Sequence, residues 1–357
     1  MALVAVGGAA IIGALSVVCL VVAAELVVRT LVGLARYYDI SESVIGLTVL
    51  SVGTSLPEIA AHLVGSTQIL LGVGEPRLIS ATVLGGNIGS DVVQQTLVLG
   101  LVVLAVGGFQ FSKKFLVRGY APMIGTTLLT LVLAWDGHLS RLDGFVLLAM
   151  FIAYTTFLYT TRSEVLQQQA TALPSTTPRR DIVIAAVGIL VVVVAAHFLF
   201  QAVGVVVRQT GLEGSLIGVT VLGIGAASPE MTTAIVGLRE GAEGLSLGTL
   251  IGSNITNPLL GIGLGSALST YVVPLPLVYW DLPMETTTAA MLLTYLLIKD
   301  DLGATLAGVA GRLGFERTAG RLSGVRERHL GRVGTLLLIN LYILYLVVRI
   351  VYFPEDF

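Results

Sequence analysis

The chain has 357 residues, of which 55% are hydrophobic and 12% are charged, and its mean hydropathy is +0.92. A soluble domain carries about 25% charged residues, so this composition excludes an ordinary soluble protein and predicts an all-α polytopic membrane protein. The formal net charge of −2 indicates no nucleic-acid partner. With Cys19 as its single cysteine, the chain cannot form an internal disulfide.

Ten segments are long and apolar enough to cross a bilayer, which takes about 20 residues each. The first run has no Lys or Arg before Arg29, so it lacks the start of a signal peptide and we expect a retained span. A polar segment, 162–181, contains PSTTP and is typical of a linker. It separates five spans from five. The candidate spans are 4–34, 44–71, 79–107, 118–135, 143–161, 182–207, 215–238, 245–268, 283–298 and 334–352.

The two halves of the chain repeat each other. SVIGLTVLSVGTSLPEIAAHLVG at 43–65 aligns without gaps on SLIGVTVLGIGAASPEMTTAIVG at 215–237, and GGNIGSD at 85–91 aligns on GTLIGSN at 248–254. Such internal duplication is common in secondary transporters. Because each half has an odd number of spans, the second half must cross in the opposite direction. The sequence therefore predicts two inverted five-helix repeats, residues 1–161 and 182–357.

Basic residues predict the orientation of the chain. The loops after the odd-numbered spans hold 16 of the 20 Lys and Arg residues. Cytoplasmic loops carry the excess of these residues, so the N-terminus is expected outside and the linker 162–181 in the cytoplasm.

A proline and a glutamate interrupt the second span, in GTSLPE, and the seventh, in GAASPE. Proline has no N–H, so Pro57 and Pro229 each leave free the carbonyl four residues earlier. A carboxylate at bilayer depth is costly and marks a functional site by default. Glu58 and Glu230 are related by the repeat, and carboxylates with carbonyls and hydroxyls are hard ligands that suit calcium or sodium. We predict broken helices near Gly53, Gly85–Gly89, Gly225 and Gly248–Gly252.

These motifs resemble the alpha repeats of the sodium/calcium exchangers, in the cation/calcium antiporter superfamily. The resemblance covers almost the whole chain, with GTSLPE and the LVLG of 97–100 as its most specific parts. It implies alpha motifs at 43–100 and 215–263, an alternating-access mechanism, and Ca²⁺ and Na⁺ as transported substrates with no cofactor. It also implies an ion site built from Glu58, Glu230, Thr54, Ser55, Ser90, Gln94, Ser253, Asn257 and the carbonyl of Ala226.

Five positions depart from the family pattern. The Thr and Ser expected in the second repeat are Ala226 and Ala227, and Asn257 stands where the family often has Asp. Gln94 replaces a usual Asn, while Asp91 is an additional acid that either joins the pocket or pairs elsewhere. The missing hydroxyls predict fewer than the family's three sodium ions per calcium.

Two further features allow more than one interpretation. His62 lies four residues after Glu58 on the same helix face, where it either carries protons or bonds a neighbouring helix. The basic loop 299–333 fits an amphipathic helix on the cytoplasmic lipid surface, and a solvated linker is the alternative.

Three function classes fit the sequence to different degrees. The first is a calcium antiporter driven by sodium, and the second is a proton-coupled or otherwise selective divalent-cation antiporter of the same fold. The third, an intramembrane enzyme, is disfavoured because an aspartyl protease needs two in-membrane aspartates, only Asp91 is present, and no HExxH occurs. The oligomeric state is not determined by the sequence.

Overall fold

The computed structural model describes residues 2–38, 40, 42–160, 176–208, 219, 223–312 and 329–353, and these are almost entirely helical. The helices are α1 Ala2–Tyr37, α2 Glu42–Ile45, α3 Ser51–Thr54, α4 Leu56–Leu70, α5 Pro76–Val93, α6 Leu99–Ala105, α7 Lys113–Phe115, α8 Ala121–Leu133, α9 Arg141–Thr160, α10 Pro178–Arg208, α11 Gly223–Ala226, α12 Ser228–Arg239, α13 Glu243–Thr256, α14 Gly263–Leu268, α15 Leu282–Arg312 and α16 Arg332–Tyr352. Wider π-helical turns occupy Gly46–Leu50, Gln94–Val98, Leu116–Tyr120, Asn257–Ile262 and Leu277–Asp281. Four two-residue strands complete the description: β1 Phe109–Gln110, β2 His138–Leu139, β3 Tyr271–Val272 and β4 His329–Leu330.

Five helices of the described part are long and apolar enough to cross a membrane. A sixth span results if the bent pair Ser43–Thr54 and Leu56–Leu70, which meet at 45°, is counted as one. Ten spans therefore stay a prediction. The five are Gly7–Tyr37, Pro76–Ala105, Lys113–Leu133, Arg141–Thr160 and Arg332–Tyr352.

The helix breaks were predicted correctly in two of the four spans. α3 ends and α4 begins around Ser55, and α11 ends and α12 begins around Ala227, each just before the proline. The predicted breaks at Gly85–Gly89 and Gly248–Gly252 are wrong, because α5 and α13 run through them without interruption. The irregular turns of these two helices come later, in the π segments that start at Gln94 and Asn257.

The glycines of α5 and α13 serve close helix crossing instead. A Cβ added to Gly89 would lie 2.6 Å from the backbone oxygen of Val219, and one added to Gly248 would lie 2.8 Å from that of Ser43. The third predicted span, in the first half, thus crosses the seventh, in the second half. In the same way the eighth span crosses the second. Only residues without side chains allow two backbones to approach this closely, as in other membrane helix pairs.

The short strands tie the two halves together at both ends of the bundle. β1 pairs antiparallel with β4, and β2 pairs antiparallel with β3. The helical segment Lys113–Leu133 lies between β1 and β2 and is about 31 Å long at 1.5 Å per residue, so the two pairs lie at opposite ends of it. Each pair joins a loop of the first half to a loop of the second.

A buried ion pair corrects the charge count behind the predicted orientation. Arg349, one of the four basic residues counted on the opposite side, is fully buried in α16, where its Nε lies 3.3 Å from Oδ2 of the equally buried Asp281. It also donates to the carbonyl of Phe353. Arg349 is a packing residue and carries no topological signal, so the side with few basic residues has one fewer.

Two predicted polar segments lie partly outside the described residues. Of the linker 162–181, residues 162–175 are not described, and the last residues, from Pro178, form the first turn of α10. Proline suits that position because a first-turn N–H needs no helical partner. Of the basic loop 299–333, the part up to Arg312 continues α15 and the part 313–328 lies outside the described residues.

Candidate functional site

The two repeat-related glutamates occupy the same position in their helices. Glu58 lies in the first turn of α4 and Glu230 in the first turn of α12, each directly after a proline. The unpaired N–H groups of a helix start carry partial positive charge, which favours a carboxylate there. The helix breaks therefore point two helix N-termini at two carboxylates. Glu58 is only 5% exposed and Glu230 is fully buried.

Hydroxyl groups contact the two carboxylates unequally. Oε1 of Glu230 accepts from Ser253 at 3.3 Å and from Ser55 at 3.5 Å. Oε1 of Glu58 accepts from Ser90 at 3.4 Å, and the repeat equivalent of Ser55 on its side is Ala227. Five predicted site residues are thus placed together, and the position at which the second repeat lacks a hydroxyl, Ala227, falls on the Glu58 side.

Ser228 uses its hydroxyl within its own helix break. Its Oγ donates to the carbonyl of Gly225 at 2.6 Å, which is the carbonyl that Pro229 leaves free. The first repeat has Leu56 at this position, so its corresponding carbonyl has no such neighbour in sequence. Ser228 therefore stabilises the break and does not replace the missing ligand hydroxyls.

Asp91 meets Asn257 across the interface between the halves. Nδ2 of Asn257 donates to Oδ1 of Asp91 at 2.7 Å, and both side chains are buried. The first repeat thus contributes the carboxylate of this pair and the second repeat the amide. Among the described residues, no three His, Cys, Asp or Glu side chains converge as a metal-binding group.

Several buried oxygens near these residues have no hydrogen-bond donor within the described part of the chain. Each is a carboxylate or side-chain amide oxygen, which accepts hydrogen bonds but does not donate them. Leaving such an acceptor buried without a partner costs about 1–3 kcal/mol, so a set of them is the environment that a bound cation would stabilise. They are Oε2 of Glu58, Oε2 of Glu230, Oδ1 of Asn257, Oδ1 of Asn87 and Oε1 of Gln95.

Three other predicted residues have different surroundings. Thr54 donates to the carbonyl of Leu50 at 3.1 Å, and its hydroxyl also lies beside the carboxylate of Glu230. Both polar ends of Gln94 have partners, since its nitrogen donates to Ser90 and its oxygen accepts from Asn254, both at 3.1 Å. Gln94 therefore contacts the hydroxyl that donates to Glu58. Ala226 lines a cavity described below.

His62 belongs to a polar cluster of its own. Its Nε2 lies 3.0 Å from Nδ2 of Asn87, and its Nδ1 lies 3.2 Å from the hydroxyl of Tyr271. The tyrosine hydroxyl also lies 2.7 Å from Oγ of Ser66. Both ring nitrogens thus have neutral partners, and no hydrogen bond between described residues joins His62 to Glu58. The geometry favours the interpretation in which His62 bonds neighbouring helices.

Sequence reasoning missed Glu285 and Gln95. Glu285 is 2% exposed in α15, and its Oε1 accepts from Gln95 at 2.9 Å and from Thr127 at 2.8 Å. A lone acid within the apolar span 283–298 was a signal of the same kind as Glu58. It lacked the repeated proline that made the other glutamates conspicuous.

A cavity of about 570 Å³ leads to one side of the site. Its walls come from α4, α5, α10 and α11 and are mostly apolar, with Glu58, Asn87, Gly225 and Ala226 among the lining residues.

Comparison with known proteins gives the family. The profile of the family described as "Sodium/calcium exchanger protein" matches residues 8–160 and 181–351, which are the two halves on either side of the predicted linker. The chain belongs to this family. It is therefore an integral, multi-pass membrane antiporter of the cation/calcium exchanger type and not an enzyme. Members of the family carry Na⁺ and Ca²⁺ as substrates.

Individual relatives agree with this assignment. The chain is 28% identical over 247 residues to the putative antiporter CaxA of Alkalimonas amylolytica, which covers 67% of this chain and 74% of that protein. It is 23% identical over 322 residues to the sodium/calcium exchanger MaX1 of Methanosarcina acetivorans, covering 79% and 89%. A solved structure of the sodium-calcium exchanger NCX_Mj superposes with a TM-score of 0.70 at 21% identity, covering 95% of this chain and 97% of that one. This last likeness concerns the fold.

Proposed function

We propose that this exchanger moves calcium against sodium by alternating access, with the ion bound between Glu58 and Glu230. The observation that carries the proposal is the pair of buried carboxylates, each in the first turn of a helix and each with one oxygen that has no donor in the described part of the chain. A divalent cation neutralises both carboxylates at once. Na⁺ would bind the same hard oxygens with a smaller charge.

The neutral ligands of the proposed site come from both halves. Ser55, Ser90 and Ser253 already contact the carboxylates, and Asn257 presents an unpartnered amide oxygen. Thr54 and the carbonyl of Ala226 complete the proposed set. The second repeat has Ala226 and Ala227 where the family pattern has residues with hydroxyl groups. Fewer ligands for sodium ions are therefore available than in the family pattern. The proposal therefore includes fewer than three sodium ions per calcium.

The test is calcium uptake into proteoliposomes that hold an outward sodium gradient. Glu58→Gln and Glu230→Gln should each abolish uptake while the protein stays folded, because a neutral amide removes the cost of a buried charge. Glu75→Gln is the matched control, since Glu75 is exposed at the start of α5. Undiminished uptake in either of the first two variants would refute the proposed ion site.

A second candidate is a proton-coupled cation antiporter. Asp91 favours it, because within the described part of the chain this buried acid accepts a hydrogen bond only from the Asn257 amide and has no basic partner. A carboxylate in such surroundings suits a carried proton. Imposing a proton gradient and a sodium gradient separately in the same vesicles distinguishes the two candidates.

We also propose the predicted inverted topology, with ten spans, an external N-terminus and a cytoplasmic linker. The strand pairs support it: exchanging the two halves converts the β1–β4 pair into the β3–β2 pair. The crossing of the second span with the eighth, and of the third with the seventh, has the same symmetry. In a variant with Cys19 replaced, a cysteine placed at 170 should react with an impermeant thiol reagent only from the cytoplasmic side.

A further inference from the structure

Two pairs of polar side chains bridge α4 and α5, one helical turn apart. Ser90 donates to Oε1 of Glu58 at 3.4 Å, and Nε2 of His62 lies 3.0 Å from Nδ2 of Asn87. His62 follows Glu58 by four residues, so the two share a face of α4. Asn87 precedes Ser90 by three residues and shares a face of α5 with it. On α5, Asn87 is therefore the neighbour of the serine that contacts Glu58.

The amide of Asn87 has one orientation that suits both of its neighbours. Its Nδ2 also lies 3.4 Å from the backbone carbonyl oxygen of Asn257, which can only accept a hydrogen bond. The nitrogen of Asn87 therefore faces that carbonyl, and Nε2 of His62 accepts from the same nitrogen. A neutral imidazole then carries its proton on Nδ1, which lies 3.2 Å from the hydroxyl of Tyr271, a group able to accept it.

This orientation leaves the side-chain oxygen of Asn87 without a partner. Asn87 is only 2% exposed, and within the described part of the chain its Oδ1 has no hydrogen-bond donor. Asn87 lines the 570 Å³ cavity together with Glu58, whose Oε2 also has no donor there. A buried acceptor without a partner is costly, and asparagine side-chain oxygens are ligands that calcium takes in proteins. Both oxygens are therefore suited to a cation.

The two repeats differ in a way that places an extra ligand on this side. Glu230 accepts from two serine hydroxyls, and Glu58 accepts from one. The hydroxyl missing on the Glu58 side is the one that Ala227 lacks. Asn87 has the opposite asymmetry, because its repeat equivalent is Leu250, which has no polar group. The first repeat thus adds an amide oxygen near the carboxylate that has fewer hydroxyl partners.

We propose that the side-chain oxygen of Asn87 is a further ligand of the transported calcium ion, on the Glu58 side of the site. His62 and the carbonyl of Asn257 hold the nitrogen of the amide, so the oxygen is oriented before the ion arrives. An amide oxygen is neutral, so it adds a ligand without another buried charge. This inference rests on the proposed function, in which Glu58 binds the transported cation.

Removing the oxygen tests the proposal directly. Asn87→Leu gives position 87 the residue of the second repeat. It should raise the calcium concentration for half-maximal uptake into proteoliposomes by about tenfold, the effect of one interaction with a charged group. Calcium should also raise the unfolding temperature of this variant in detergent less than it does for wild type, because less binding energy is available to the folded state.

His62→Leu is the matched control. It removes the same hydrogen bond from the other side and leaves the oxygen of Asn87 in place, with the nitrogen still facing the carbonyl of Asn257. The unfolding temperature without calcium should fall. The half-saturating calcium concentration should change by less than about threefold, the cost of ordering one side chain.

Asn87→Asp tests the same position by adding a charge. A carboxylate at 87 keeps an oxygen there and repels Glu58 when no cation is bound, so the unfolding temperature without calcium should fall. Calcium relieves that repulsion, so the rise in unfolding temperature that calcium causes should be larger than in wild type.

Each outcome of these measurements decides something. Equal weakening in Asn87→Leu and His62→Leu would mean that the hydrogen bond matters and the oxygen does not, which refutes the ligand role. Wild-type calcium affinity in Asn87→Leu also refutes it, as does a calcium effect in Asn87→Asp no larger than in wild type. If Asn87→Leu does not fold, Asn87→Ala takes its place with the same expected shift, and an unchanged affinity there is a refutation.

The proposed function has its own control in this experiment. Glu58→Gln should lose calcium binding in the same assays. If that variant binds calcium normally, the proposed ion site is wrong whatever the variants at 87 show. If it loses binding while Asn87→Leu matches wild type, only the added ligand is wrong.

Discussion

Exchanging the side chains of Asp91 and Asn257 should restore a site that each single substitution disturbs. In the structure one carboxylate and one amide meet at 2.7 Å. Asn257→Asp alone places two carboxylates there. Their repulsion is about 4 kcal/mol for charges 4 Å apart at an effective dielectric constant of about 20. Asp91→Asn alone keeps an amide hydrogen bond but removes a negative charge from the neighbourhood of both glutamates.

The two single variants should therefore fail in different ways. Asn257→Asp should have the lowest unfolding temperature in cation-free detergent solution, and calcium or sodium should raise that temperature most, because a cation between two carboxylates relieves their repulsion. Asp91→Asn should unfold near the wild-type temperature but require more calcium for half-maximal uptake. The double variant again has one acid and one amide, with the acid where the family often has it.

The measurements are thermal unfolding with and without cations and calcium uptake into proteoliposomes. A double-mutant cycle should give a coupling free energy of more than about 1 kcal/mol, since residues in direct contact are not additive. If the double variant is no closer to wild type than the worse single variant, the carboxylate–amide pair does not act as a unit. The reasoning about the displaced acid would then be refuted.

Three other substitutions test separate parts of the structure. Gly89→Ala should destabilise the fold by about 1–3 kcal/mol because its Cβ would meet a backbone oxygen 2.6 Å away, whereas Gly86→Ala on the same helix, with nothing within 4 Å, should not lower the unfolding temperature. Arg349→Met should cost about 3–5 kcal/mol by leaving Asp281 buried without its cation, and adding Asp281→Leu should recover most of the loss in the same unfolding assay. Ala227→Ser returns a hydroxyl to the repeat equivalent of Ser55, so the half-saturating sodium concentration should fall and the charge moved per calcium should rise; unchanged values would show that this position does not set the coupling.

The sequence alone determined that the protein lies in a membrane, that it is helical, and that two glutamates stand at helix breaks. The high hydropathy of the chain requires a membrane. In lipid every backbone N–H and C=O must be hydrogen-bonded within the protein, and apolar segments of about 20 residues meet this requirement as helices. The duplicated Pro-Glu pair located both helix breaks, since proline removes a backbone donor wherever it stands. These inferences succeeded because each rests on a property of single residues or of residues close in sequence.

Tertiary structure decided which glycines break a helix and which allow a crossing. Gly89 and Gly248 carry the same local signal as a helix breaker, and only the opposing backbone shows that they are contact positions. In the same way, the sequence counts Arg349 among the basic residues that indicate orientation, and only the packing of Asp281 against it shows that it belongs to a buried ion pair. A residue's sequence neighbours give its propensity, but its partner from a distant segment decides how that propensity is used.

The partners of the site residues were also beyond the sequence. Asp91 and Asn257 are 166 positions apart, and Gln95 and Glu285 are 190 apart. Nothing close in sequence shows that Glu285 accepts from Gln95 and Thr127, or that Gln94 accepts from Asn254. The direction of a hydrogen bond depends on which group faces which, and that is fixed only when helices from both halves pack against each other.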